Sequence, residues 1–253
     1  MMLVGLTFTN RRESKTRGFS LAELMIALAA GLIVLTAVVA FLMASFKSNA
    51  EYVQSTHLTQ ALRNTLDLVV RDLRRAGYDD RAVKYLATGG SSPFSTVLVQ
   101  NAGAANGCVV YAYDSPTNPG IVDPASGEVR GLRRIVDTTT GNGAIEYAIS
   151  SGTASPNFTC TDAQADYSNT LAACVGKWCG LTDPRVTNIT AFTITDSSST
   201  VGVAPNQVRL RDLGIAIKGQ LPGSTEFTRG VQSSVRIRTD CFKTSLADCN
   251  VSP

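Results

Sequence analysis

The 253 residues would bury a sizeable core as one unit, but 44% hydrophobic residues unevenly spread along the chain point instead to an apolar stem and a more modest globular head. The formal net charge of +3 is local: Arg11, Arg12, Lys15 and Arg17 against Glu13 supply the whole excess and leave a formally neutral remainder. A formally neutral head offers no electrostatic argument for nucleic acid, which favours a basic patch or stripe, so composition neither supports nor excludes that function.

Residues 24–46 carry no charge and are long enough, at about 1.5 Å per residue, to cross a hydrocarbon core. Basic residues crowd the amino-terminal side while only Lys47 follows closely, an asymmetry that puts the leader in the cytoplasm and the head outside. Ala40, Ala44 and Ser45 mimic an ordinary secretory cleavage site after the apolar run, so composition alone leaves a secreted protein open. Glu23 stands at the start of this apolar run. An acid inside a span is costly, about 2.5–3.5 kcal/mol at its centre and less near the interface, and marks a functional partner more often than not.

The run Gly18-Phe19-Ser20-Leu21-Ala22-Glu23, preceded by Lys15-Thr16-Arg17, resembles the processing site of type IV prepilins and pseudopilins. The resemblance covers roughly the first 30 residues. It implies cleavage by a prepilin peptidase after Gly18, methylation of the new amino group on Phe19, and a role for Glu23, five residues into the mature chain, in assembly. The physical sense is direct: cleavage creates an ammonium group at Phe19, and a buried carboxylate needs a cation. Phe19 and Glu23 are i and i+4 on one helix face, so the pair forms within one subunit or, as the resemblance implies, between neighbours, where it sets the axial register of packed helices.

Beyond Phe46 the pattern stays helical, with Leu58, Leu62, Leu66, Val69, Leu73 and Ala76 forming one apolar stripe. No proline interrupts 19–76, and Gly77 is the first strong stop. Gly31 is the expected weak point of the membrane half. Arg71, Asp72, Arg74 and Arg75 lie away from the stripe, where cations suit the carboxyl end of a helix. This Arg-Asp-Leu-Arg run leading into Ala-Gly-Tyr also resembles the stem ending of PilW-type minor pilins. His57, one residue before the stripe, has no neighbouring nucleophile or carboxylate constellation and reads as a surface residue.

After Gly77 the helical period gives way to short β-rich runs at 96–100, 108–113, 132–137, 144–149, 186–196, 207–218 and 233–239. A parity change between Leu210 and Leu213 predicts a bulge near Asp212. Long loops are expected at 115–127, 150–183 and 197–206. The fold class is therefore α+β and type IV pilin-like, with a long helix packed on a mostly antiparallel sheet. It divides into a leader at 1–18, a membrane and polymerisation helix at 19–46, a stem at 47–77 and a head at 78–253.

Cys108, Cys160, Cys174, Cys179, Cys241 and Cys249 all follow the apolar run, which suits an oxidising, exported compartment. Six cysteines allow 15 pairings. Cys241 with Cys249, and Cys174 with Cys179 or Cys160, are the short-range candidates. Cys174-x4-Cys179 beside the distant His57 is a poor zinc set, no phosphate-cradling glycine loop occurs, and no cysteine has a histidine partner for thiol chemistry, so neither metal, cofactor nor catalysis is expected.

The resemblance implies a low-copy minor type IV pilin that starts out single-pass in the inner membrane, amino terminus cytoplasmic and head periplasmic, and ends on the cell surface in a pilus used for twitching motility. Its implied partners are other minor and major pilins through the apolar helix, the prepilin peptidase and the inner-membrane assembly platform, with a tip adhesin as a further candidate. A minor pseudopilin of a type II secretion system uses the same stem chemistry. A single-pass receptor or adhesin is the alternative of another class.

Overall fold

The computed structural model describes residues 18–88, 90–117, 119–152, 158–168, 177–203, 206–225, 227–243 and 246–253. Helix α1 runs Leu21–Leu73, and the chain divides within it into two compact units, one ending at Tyr52 and the other beginning at Val53. In the first unit, no helical residue is buried and the apolar side chains from Leu21 to Phe46 are exposed. This helix is long and apolar enough to cross a membrane.

In the second unit the predicted stripe is the core. Leu58, Leu62, Leu66, Val69, Leu73 and Ala76 are all buried, joined by Val70. Each large side chain taken from water contributes about 1.5–3 kcal/mol. The helix ends in a turn in which Gly77 adopts φ +76° and donates its N–H to the Ala112 carbonyl at 2.8 Å. A Cβ here would sit 3.0 Å from Thr239 Cβ and 3.1 Å from its nitrogen. Gly77→Ala is therefore expected to cost about 1–3 kcal/mol, read as a lower urea midpoint. A short helix, α2 (Ala82–Thr88), follows.

Among the described residues the strands form three antiparallel sheets where a single sheet was expected. β1 (Val97–Gln100), β2 (Cys108–Ala112), β3 (Val129–Val136), β4 (Gly143–Ile149) and β5 (Trp178–Gly180) form a meander in chain order. β6 (Asn188–Asp196) and β10 (Thr228–Arg236) flank β9 (Asp212–Gln220) in the second sheet. β7 (Ser199–Val203), β8 (Asn206–Leu210) and β11 (Cys241–Lys243) make the third, in the order β11-β8-β7. The sequence at 207–218 that reads as one bulged strand is thus two strands in different sheets. Arg211 is the joint: fully buried, it donates Nη1 to the Val97 carbonyl at 3.0 Å and Nη2 to the Cys249 carbonyl. β7 and β5 occupy parts of segments expected to be loops.

The first sheet is buried on both faces, as the unbroken burial of β2 shows. Val109 and Tyr111 join the α1 stripe together with Ile189, Phe192, Ile194, Leu213, Ile215 and Ile217 of the second sheet. Cys108, Val110 and Ala112 point the other way, toward Phe94, Phe158 and Trp178. Residues 158–168 cover that second face and are held by a buried arginine. Arg133 donates Nη2 to Glu146 Oε2 at 2.7 Å and Nε to the same oxygen at 2.9 Å. Its remaining donors reach the carbonyls of Cys160, Asp162 and Ala163 at 2.8–3.0 Å, and the guanidinium lies 4.0 Å over the Trp178 ring. Glu146 Oε1 accepts the Ala165 N–H at 2.7 Å and the Tyr167 hydroxyl at 3.2 Å. Burial first, then the Glu146 charge, push the Tyr167 hydroxyl well above its ordinary pKa, so it stays a donor.

Cys108 is bonded to Cys160 and Cys241 to Cys249. Cys160 thus pairs across 52 residues and not with Cys174, because Arg133 draws its segment back over β2. Cys179 is also disulfide-bonded, and Cys174 lies outside the described residues.

Candidate processing and assembly site

Gly18, Phe19 and Ser20 precede α1, and all three are exposed, Phe19 at 88%. A Cβ at Gly18 would meet nothing within 4 Å among the described residues. Helix formation begins immediately after: the Leu24 N–H donates to the Ser20 carbonyl at 3.1 Å, which makes Ser20 the N-cap. Glu23 then reaches back, its Oε2 accepting the Ser20 N–H at 3.1 Å. This is half of a capping box, and it satisfies a backbone donor that no turn of helix can serve. The Ser-x-x-Glu interval is its signature in the sequence, and it gives Glu23 a local structural task beside the assembly role that the resemblance implies.

The geometry gives the carboxylate two possible occupations. Within a lone helix it caps its own amino end and sits favourably at the positive pole of the helix dipole. Were the chain cut before Phe19, as the resemblance implies, an ammonium group one turn away, or one from a neighbouring helix, would become an alternative partner. Further along, Thr36 donates its hydroxyl to the Ile33 carbonyl at 2.8 Å and so presents no free donor to lipid or to an apolar neighbour. A Cβ at Gly31 would meet nothing within 4 Å, so this glycine marks a narrow place on the exposed surface. Lys47 and Glu51, 4.0 Å apart, begin the polar region.

His57 is exposed on α1. Among the described residues no group of three or more His, Cys, Asp or Glu could hold a metal ion.

A family model of the prokaryotic N-terminal methylation motif matches residues 14–39, a stretch containing Gly18, Phe19 and Glu23. A second, prepilin peptidase-dependent protein B, matches residues 51–237. Searches of curated proteins and of solved structures returned no match. Together the two family models cover most of the exposed apolar run and most of the head, and they indicate a structural, pilin-like protein processed by a prepilin peptidase. With well over half of its length matched by the second model, this chain belongs to the prepilin peptidase-dependent protein B family.

Proposed function

We propose that the chain is a minor type IV pilin of the PilW kind, a low-copy subunit that helps initiate pilus assembly and sits at or near the pilus tip. The observation that carries this reading is the apolar half of α1, whose side chains are exposed from Leu21 to Phe46 and which opens on a single acid, Glu23. In a bilayer such a surface is covered by lipid; on leaving it, the surface needs other helices of the same kind. Removal of Gly18 and everything before it, methylation at Phe19, and pairing of Glu23 with an amino terminus form one sequence of events. The same helix first anchors the head on the outer face of the inner membrane, then polymerises. A chain of this length resembles minor more than major pilins, which argues for few copies and for head contacts that fix subunit order.

Mass spectrometry of filaments sheared from cells is the test. The protein should be present and should begin with N-methyl-Phe19. Intact leader residues on a functional chain would overturn the reading. A deletion that abolishes protein secretion while leaving surface filaments and twitching unchanged would assign the subunit to a type II secretion pseudopilus.

A further inference from the structure

The turn at Gly77 brings the end of α1 beside the end of β2. Gly77 donates to Ala112, the Asp114 N–H donates to the Tyr78 carbonyl at 2.9 Å, and the Arg238 N–H reaches the Ala76 carbonyl at 3.4 Å. Arg75, Tyr78, Tyr113, Asp114, Pro116 and Arg238 thereby line an open cleft of about 320 Å³.

Its walls are cationic and aromatic. Arg75 lies 4.1 Å over the Tyr113 ring and Arg130 5.1 Å from it, while Arg238 stands 5.9 Å from the Tyr78 ring. Arg75 makes a long ion pair with Asp72, Nη1 to Oδ1 at 3.9 Å, while Asp72 Oδ2 accepts the Tyr111 hydroxyl. Arg130, outside the lining, donates Nε to the Gly127 carbonyl at 3.1 Å.

Two lining residues carry a buried polar atom that makes no hydrogen bond: Tyr113, only 5% exposed, at Oη, and Asp114 at Oδ1. Asp114 Oδ2, by contrast, accepts the N–H groups of Asp80 and Gly120 at 2.9 and 3.0 Å. Orphaned polar atoms are rare in native proteins because their desolvation goes uncompensated. Burial first, then the Asp72 charge, push the Tyr113 hydroxyl above its usual range, so it remains a donor in want of an acceptor.

We propose that this cleft docks an acidic peptide segment presented by a neighbouring subunit. A side-chain carboxylate lies between Arg75 and Arg238 and accepts the Tyr113 hydroxyl, while a peptide N–H donates to Asp114 Oδ1. The paired demand for an acceptor and a donor selects a peptide. A fully ionised anion such as a nucleic-acid phosphodiester has no hydrogen to donate and offers Asp114 only like charge. That the bearer is a neighbouring subunit rests on the assembly reading; the chemistry of the cleft stands without it.

The test uses the full mature chain in detergent and a fluorescein-labelled peptide of alternating glutamate and glycine, read by anisotropy. The glutamate peptide should bind about tenfold or more tightly than its glutamine counterpart. Tyr113→Phe keeps every charge, and it should weaken binding about tenfold while leaving the thermal midpoint of the free protein unchanged or higher. A hydroxyl with a purely structural role would lower the midpoint and spare binding. Arg75→Gln, at an exposed position, should weaken binding with the fold intact. Equal binding of the glutamine peptide, unchanged binding by Tyr113→Phe, or displacement by inorganic phosphate or oligothymidylate at matched concentration would overturn the proposal. A chain that binds the peptide but never enters filaments sinks the assembly reading alone, and one that enters filaments without binding the peptide sinks this proposal alone.

Discussion

Cells carrying Glu23→Ala are expected to insert the protein into the membrane normally and to lack it in their filaments. Insertion depends on the apolar run, which the substitution only makes more apolar. On the proposed assembly reading incorporation depends on charge: when helices pack away from water, an amino terminus without its carboxylate is left in a medium of low dielectric. A penalty of about 2.5–3.5 kcal/mol, the scale for a charge within a span, corresponds to a roughly hundredfold fall in incorporation. The structure supplies the control that separates this from a capping effect. Glu23→Gln retains an oxygen that can accept the Ser20 N–H and should preserve the helix start, yet it carries no charge. Quantitative immunoblots of sheared filaments against membranes should show Gln behaving as Ala. Normal incorporation of the Gln variant would reduce Glu23 to a helix cap, and normal incorporation of both would favour a receptor whose helix is only an anchor.

The largest loss of stability is expected from Glu146→Ala, about 3–5 kcal/mol, visible as a shift of the urea midpoint under non-oxidising and oxidising conditions alike. Three groups lose their acceptor at once: the Arg133 guanidinium, the Ala165 N–H and the Tyr167 hydroxyl. All are buried, so water does not replace what is removed. An apolar replacement of the whole pair is no remedy, because the carbonyls of Cys160, Asp162 and Ala163 depend on Arg133 for their donors. The partly exposed pair of Asp183 and Arg185, 2.8 Å apart, is the comparison: Asp183→Asn should change the midpoint by less than about 1 kcal/mol. Equal effects at the two sites would show that burial is not what gives the Arg133–Glu146 pair its weight.

What was legible in the sequence follows from how far apart in the chain each cause and its effect lie. The stripe from Leu58 to Ala76 is a local period, and every member of it is buried. Gly77 as the stop is equally local. Strands with alternating or continuous apolar residues, such as β2, β4 and β6, lie close to their predicted bounds. β7, with residues Ser199 to Val203 all exposed, has no apolar face to announce it; its strand character comes from pairing with β8. β5 is three residues long and exists through its pairing with β4. The parity change beside Arg211 was visible, but a bulge and a change of sheet leave the same trace in a sequence. The Cys108–Cys160 bond depends on the fold of the intervening 52 residues, beyond the reach of spacing. Near the amino end, the run holding Gly18, Phe19 and Glu23 lies inside the stretch matched by the N-terminal methylation motif, a linear pattern that a sequence displays directly. The cleft at Tyr113 was not, since a missing hydrogen-bond partner is a property of three dimensions.

Arg211 alone separates β8 from β9, and this makes the junction intolerant of changes in length. Side chains alternate sides along a strand, so one residue gained or lost there would turn Leu213, Ile215 and Ile217 outward and carry Asp212 and Lys218 inward. Elsewhere, drift in chain length can be absorbed where the backbone leaves its sheets. At this corner it cannot, and descendants of this gene are constrained to keep the count between Leu210 and Leu213 whatever else in the head diverges.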